Sequence, residues 1–476
     1  MEDIKRKLRK LGLAVPDILL PREADLRQWA VIACDQFTQD RSYWEKAAEA
    51  AAGSPSTLNM IFPEAYLADT DGERRIGDIH QVMRQYLDDG VFAAPRRGFV
   101  YLERDTPYSR GRKGLIAAID LEQYNWEPAA RLLVRSTEDT VPERLPPRMN
   151  IRRNAPVEVP HILLLIDDDD DSLLRETGER AKKHAPAYQG DLMMNSGCVS
   201  GWFFDEADDW NFFAEGLEAL ARRSLTRYSG GGQPFLFAVG DGNHSLASAR
   251  EIWGERKTMH NITGCSGKTS ALYAMPNDPC RFALVEIENI HDPAIRFEPI
   301  HRIVFGLDFD SVLRLLAALP GFSCRMVTGR EELSRLTAEP AAEPGGNRFG
   351  ITAGDHYALV ETSAAGIATV CLKPLLDKAA LADGSVSIDY IHGEDELFRL
   401  AAGSARAVTG ILLPPVHKSG FFDTVARCGP LPRKSFSMGE AWEKRFYIES
   451  RKLRDSHEDL MIFPEDYSNI MKAPFC

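Results

Sequence analysis

The sequence predicts a mixed α/β protein, and three observations predict it. A segment of helical period is followed by several strand-like runs; a buried strand feeds a glycine-bearing turn and then a helix at 235–250; and a second alternation of helices and strands begins near residue 308. The chain has 476 residues, 44% of them hydrophobic and 27% charged, which supplies ample core material and excludes a disordered or disulfide-scaffold protein. The expected organisation is a main α/β domain over 1–307, a small α/β unit over 308–385, and a segment over 386–476 that returns to the main domain.

The elements follow in order. A short opening helix leads to an expected strand Trp29–Ala33, the polar turn Cys34-Asp-Gln-Phe-Thr38 and a helix around Tyr43–Ala52. Apolar residues at helical spacing (Ile76, Ile79, Val82, Met83, Tyr86, Leu87) end at Gly90, as a C-terminal glycine should. Strands are expected at 98–103, 114–120 and 132–135. Pro142–Pro160, rich in Pro and Arg, has no periodicity and reads as a linker or a long loop over a site. The buried strand Ile162–Ile166 precedes five aspartates at 167–171, expected to be a solvated turn because like charges repel and hard-cation sites space their ligands. Then come a helix 210–223, a Gly-rich turn at 230–232, a strand 234–239, a helix through Trp253, a polar loop 254–270 and a strand 282–288. The later unit reads as helix 310–319, strand 323–327, helix 330–337 and strands 348–352 and 356–361, with a last apolar strand at 410–413.

Composition narrows the function classes. A net charge of −13 disfavours non-specific binding to a phosphate backbone, so nucleic acid is not an expected partner. No run approaches the roughly 20 apolar residues that span a bilayer, and the charged N-terminus lacks an apolar segment behind it, so no membrane partner and a cytoplasmic location are expected. The eight cysteines form no Cys-x-x-Cys pair and suggest neither a zinc ribbon nor a disulfide framework.

The sharpest chemical signal is Phe235-Leu-Phe-Ala-Val-Gly240-Asp-Gly-Asn-His-Ser245. Such a turn points backbone N–H groups at one place where they can hold an anion, while Asp241 can take a metal ion or a proton. The same residues also suit a tight turn with Ser245 as a cap and His244 as a satisfied structural histidine. Glu138, three residues after Arg135, is a general base or metal carboxylate on one reading and an ion-pair partner of Arg135 on the other. His301 in Glu298-Pro-Ile-His-Arg302 can shuttle protons, with His392 ranked below it. Ile262-Thr-Gly-Cys-Ser-Gly-Lys-Thr269 imitates a P-loop but lacks its first glycine and a preceding buried strand, and is rejected. Cys34 and Cys198 are minor nucleophile candidates with no base placed beside them.

Taken in order, Arg135-Ser-Thr-Glu-Asp-Thr140, the Asp241-Gly-Asn-His244 box, Glu298-Pro-Ile-His-Arg302, Tyr390-Ile-His-Gly393 and Leu431-Pro-Arg-Lys-Ser435 resemble one large prokaryotic family, the domain of unknown function numbered ten-fifteen, over Asp35 to Lys434. The box also resembles, more distantly, the Asp-Gly-His-Thr-Arg element of the ParB and sulfiredoxin superfamily, whose members bind nucleotide phosphates there and include kinases of free serine. That resemblance implies a ParB/sulfiredoxin-like core in the large domain and phosphotransfer from ATP or ADP, with Mg²⁺, to a small hydroxyl compound such as free serine.

Asn243 stands where the superfamily has His and Ser245 where it has Arg, so another cation must clamp phosphate. The implied site therefore takes Asp241, His244, Glu138 and His301 as catalytic residues, with Asp241 as metal ligand. Arg135, Gly242, Asn243, Ser245, Arg302 and Lys434 are its substrate or phosphate contacts. Two other readings stay open, a non-catalytic nucleotide-binding regulator and a metal-dependent hydrolase.

Overall fold

A computed structural model of the chain describes residues 1–228, 232–263, 275, 277–364, 366–403 and 407–454. It contains two large sheets with helices on their faces, a mixed α/β architecture. The larger sheet has ten strands, and its centre runs Arg112–Asp120, Phe282–Asn289, Leu163–Ile166, Phe237–Asp241 and Val134–Arg135. Parallel and antiparallel pairings mix in it: Leu163–Ile166 runs parallel to Phe282–Asn289 and antiparallel to Phe237–Asp241. Leu163–Ile166 and Phe237–Val239 are buried and read as continuous hydrophobic runs in the sequence, whereas Arg112–Asp120 and Phe282–Asn289 also bury Arg112, Glu286 and Glu288, paired beneath the 443–449 segment.

The smaller sheet has seven strands and is antiparallel throughout. It draws on Phe297–Phe305, Ser323–Met326, Asn347–Ala353, His356–Thr362, Ser387–His392, Val408–Leu412 and Phe436–Met438. The strands therefore cross both boundaries expected at 307 and 385. The physical reason is that Phe297–Phe305 is the central partner of Val408–Leu412 and Ser387–His392, a pairing invisible to local periodicity. Phe297, Phe421, Phe422 and Phe436 pack with Leu163, Leu165 and Phe235 and join the two sheets in one apolar layer.

Several local expectations are corrected. Trp29 ends a short helix, Leu26–Trp29, capped by Asp25, and the following segment makes only a bridge from Ile32 to Phe446. Within Pro142–Pro160 lies a helix, Leu145–Arg153; Pro146 and Pro147 sit in its first turn, where no intrahelical N–H bond is lost. That helix packs against Asn243–Thr263, which runs ten residues past the expected end at Trp253 and removes the first part of the expected 254–270 loop. The five aspartates are a solvated turn only in part: Asp169 and Asp170 are exposed in a turn, but the rest are tied in. Asp168 is buried and accepts from Leu173 N at 2.8 Å, Asp171 bonds Asn289 and Lys113, and Asp167 and Asp169 pair with Arg227 and His291. The Gly-rich turn at 230–232, apart from Gly232, and the P-loop imitation from Gly264 onward lie outside the described residues, as do Cys265 and Cys476. Among the described residues no helix is long and apolar enough to cross a membrane.

Candidate active site

The site starts from a break in a strand. Phe237–Asp241 pairs with Leu163–Ile166 through a register shift between Val239 and Asp241, a bulge at Gly240. Gly242 then takes φ of 80°, a left-handed conformation in which a Cβ would also meet Ile162 at 3.1 Å, so glycine is required where the chain turns into the Asn243–Thr263 helix. The bulge and turn set Asp241 at the mouth of a cavity of about 220 Å³, which Gly242, Asn243, His244 and Ser245 also line.

Glu138 reaches the same cavity through a separate set of bonds. Asn243 Oδ1 accepts from Ser136 Oγ at 2.7 Å and from the backbone N–H of Thr137 at 3.2 Å, while Thr137 Oγ1 donates to the Val239 carbonyl at 2.5 Å. Asn243 is thus the clamp that fixes the segment preceding Glu138 against the turn. The 136–139 segment also pairs with Leu431: Leu431 N donates to Thr137 O at 2.7 Å and Asp139 N to Leu431 O at 3.1 Å. This pairing delivers Arg433 and Lys434, the latter at φ of 58°, to the cavity wall.

The electrostatics divide the two carboxylates. Burial pushes Glu138 up to about 7, with Lys434 opposing and Asp241 adding to the rise. Burial pushes Asp241 the same way but loses to Lys444, whose Nζ lies 3.1 Å from Oδ2, so this carboxyl stays below its ordinary value. Gly242 N–H donates to its other oxygen at 2.8 Å. Two neighbouring carboxylates are therefore held in opposite protonation regimes, the arrangement expected of an acid/base pair.

Arg144, Arg148, Arg433, Lys434 and Lys444 line the cavity against Asp35, Glu64, Glu138 and Asp241. Arg148 pairs with Glu64 and Lys444 with Asp241. Arg144, Arg433 and Lys434 have no carboxylate partner among the described residues, which leaves the cavity suited to an anion. His244 registers that field: burial, then Arg148, Arg144 and Arg433, lower it to about 4. Its Nε2 accepts from Val141 N–H at 3.2 Å, so the ring is a neutral acceptor already in use and a poor proton carrier at neutral pH. Ser245 Oγ bonds His161 Nε2 at 2.9 Å, and His161 Nδ1 bonds Tyr447 OH at 2.9 Å.

Three of the expected site residues do not line this cavity. Arg135 has its guanidinium 4.5 Å over the Phe235 ring and bonds the Leu132 and Gln233 carbonyls, and burial lowers it to about 10. The alternative reading of Glu138 as an ion-pair partner of Arg135 is not met among the described residues, where Arg135 makes those carbonyl bonds instead. His301 is buried on Phe297–Phe305, where Nδ1 accepts from Leu413 N–H at 3.0 Å and burial lowers it to about 4. Arg302 lies 4.7 Å over Tyr390 and donates to the Ile300 carbonyl at 2.5 Å. His392, ranked lower, does line the cavity. Cys34 is an inert thiol, since burial and then Asp35 hold it well above its ordinary value.

Sequence reasoning missed Arg144, Arg148, Arg433, Lys444, Asp35 and Glu64. Arg433 adjoins Lys434 in a quoted motif, Arg144 and Arg148 belong to the Arg-rich stretch read as a loop, and Asp35 opens the span of the resemblance; nothing local marks Glu64 or Lys444. An Asp241-centred Mg²⁺ site fits in part. Among the described residues no three metal-ligating groups converge in the cavity, and the one such cluster, Asp167, Asp169 and His291, lies elsewhere and is bridged by Arg227. Mg²⁺, however, is commonly bound by one or two carboxylates plus phosphate oxygens and water, a requirement Asp241 meets.

Among solved structures the chain is similar to a free serine kinase in complex with AMP, at 11% identity over 73% of this chain and 95% of that one, with a TM-score of 0.36. It is similar to a conserved hypothetical protein from Pyrococcus furiosus, at 11% identity over 71% and 95% of the two chains and a TM-score of 0.34. A third similarity is to SbnI with a C-terminal truncation from Staphylococcus aureus, at 10% identity over 72% and 90% and a TM-score of 0.33. No curated protein matches the sequence. A sequence profile matches residues 17–379, more than three quarters of the chain, and by that match the chain belongs to the family described as protein of unknown function, DUF1015.

Proposed function

We propose that the protein is a nucleotide-dependent phosphotransferase acting on a small hydroxyl compound such as serine. The observation that carries the reading is a carboxyl poised near neutrality, Glu138, sharing one cavity with three cations that have no carboxylate partner among the described residues, Arg144, Arg433 and Lys434. Phosphoryl transfer asks for little else: a base for the acceptor proton, and fixed positive charge where charge spreads over the transferred oxygens. The resemblance of the Asp241–Ser245 turn to the nucleotide-binding element of the ParB and sulfiredoxin superfamily belongs with this reading.

Glu138 takes the proton of the acceptor hydroxyl as its oxygen bonds to the terminal phosphorus, and the bond to the bridging oxygen breaks with the electron pair leaving on the nucleoside diphosphate or monophosphate. Arg144, Arg433 and Lys434 offset the developing charge, and the Gly242–Ser245 backbone at the helix start faces the phosphate oxygens. Lys444 keeps Asp241 ionised. Mg²⁺ bound with the nucleotide would be held by Asp241 and would supply further neutralisation.

The test is ³¹P NMR of the protein with ATP or ADP, Mg²⁺ and a panel of serine, threonine, ethanolamine and glycerol. A new phosphate monoester signal, lost in Glu138→Gln, is expected. If ATP, ADP and CTP all leave the unfolding midpoint unmoved, the reading is wrong; a raised midpoint with no transfer would make the protein a nucleotide-binding regulator.

A further inference from the structure

A second chamber adjoins the anionic one. It measures about 130 Å³ and shares Arg148 and Ser245 with the first cavity as a common wall, while Cys34 on its side is followed directly by Asp35 on the other. Its remaining lining is mostly apolar, with Met60, Phe62, Met83, Ile151, Val157 and Leu284 at the heart of it. Most polar groups in this wall are already paired, the exception being Arg152, whose Nε is buried without a hydrogen-bond partner. Glu158 is held by Arg152 and Arg451 and accepts from Leu284 N–H, and His161 is bonded on both ring nitrogens. Ser248 donates to the His244 carbonyl at 2.8 Å and keeps an acceptor lone pair free. The chamber is therefore a largely apolar compartment with two polar groups of spare capacity, the Ser248 hydroxyl as acceptor and the Arg152 Nε–H as donor, adjoining a cationic one.

We infer that this chamber is the nucleobase subsite of the ligand whose phosphates occupy the first cavity. The inference rests on the phosphotransfer reading and adds the identity of the donor's other half. A nucleotide is an anionic chain joined through a sugar to a flat, weakly polar ring, and the two adjoining compartments divide in the same way. An apolar cavity of about 150 Å³ accepts a benzene ring, so a chamber of about 130 Å³ that adjoins a second cavity is on the scale of one six-membered ring. Burying the ring supplies affinity that phosphate contacts alone cannot, since those are screened by salt while ring burial is not. The two methionines are adaptable walls of a kind that moulds to a ring.

The experiment needs no variant. Methionine methyl groups are labelled with ¹³C in the full chain, and ATP, CTP and inorganic tripolyphosphate are titrated separately, with calorimetry in parallel. ATP or CTP is expected to shift the Met60 and Met83 signals and to bind at least about tenfold tighter than tripolyphosphate, the scale of a buried ring. Tripolyphosphate is expected to leave both signals in place, and exposed Met326 is the control. A nucleotide that binds no tighter than tripolyphosphate and leaves Met60 and Met83 unmoved overturns the subsite and spares the phosphotransfer reading. Serine shifting those methyls in the absence of nucleotide would assign the chamber to the acceptor and also overturn it. If neither tripolyphosphate nor any nucleotide binds, both fall.

Discussion

Glu138 is a carboxyl whose surroundings, not its identity, make it useful. Because burial raises its pKa in the folded state to about 7, the transfer rate should climb with pH through that value and level off above it, a profile that pH-dependent initial rates will read. The same shift acts on stability. The folded state is favoured where Glu138 is protonated, and that margin is lost as pH rises from the ordinary carboxylate range through about 7. Glu138→Gln should abolish transfer and flatten this limb of the thermal midpoint against pH. The neighbouring pair behaves oppositely. Lys444→Met leaves Asp241 without its cation, and a loss of about 3 kcal/mol in urea unfolding at pH 7 is expected. The difference from the parent should shrink as pH falls through the carboxylate range, because Asp241 is held down only while Lys444 faces it.

At the scale of elements, the strand–turn–helix unit around Asp241 works by holding a segment distant in sequence. Asn243 is the link: its amide bonds Ser136 and Thr137 and fixes the run into Glu138. Asn243→Ala should cost about 2 kcal/mol of stability, the scale of leaving buried partners unsatisfied. It should also move the pH midpoint of the transfer rate away from that of the parent, since Glu138 would no longer be held in its buried position; a purely structural role would lower stability and leave the midpoint alone. The helix Leu145–Arg153 is the other decisive element. It carries Arg148 into the cavity wall and Ile151 into the adjoining chamber, from a stretch whose prolines suggested a loop.

For the molecule as a whole, a chain of net charge −13 concentrates unpaired cations at one cavity. Its attraction for a polyanion is therefore local, and ATP affinity measured by calorimetry should fall severalfold between about 0.05 and 0.3 M salt. The double variant Arg433→Gln with Lys434→Gln should weaken binding and lessen that salt dependence; an unchanged slope would place the anion elsewhere. The late segment that supplies these cations is anchored by buried charge: Arg445 bridges Glu286 on the large sheet and Glu449, and Arg104 and Arg112 donate to the carbonyls of Trp442, Glu443 and Lys444. The position of Lys444 over Asp241 is thus a property of the whole fold.

The order of apolar runs by itself determined the mixed α/β class and the central strands, because a strand buried on both faces is written as an unbroken hydrophobic stretch. It also marked the turn at Gly240–Ser245, where glycine spacing reports a backbone that only glycine tolerates. Only the tertiary structure decided which charged residues meet. Arg135 and Glu138 are close in sequence, yet only Glu138 lines the cavity while Arg135 lies over Phe235; Glu138, Lys434 and Lys444 are brought to that cavity by pairings across some three hundred residues. Local periodicity records the face a residue occupies and nothing of what lies opposite, and the pKa of a carboxyl is set by its burial together with the charges opposite it.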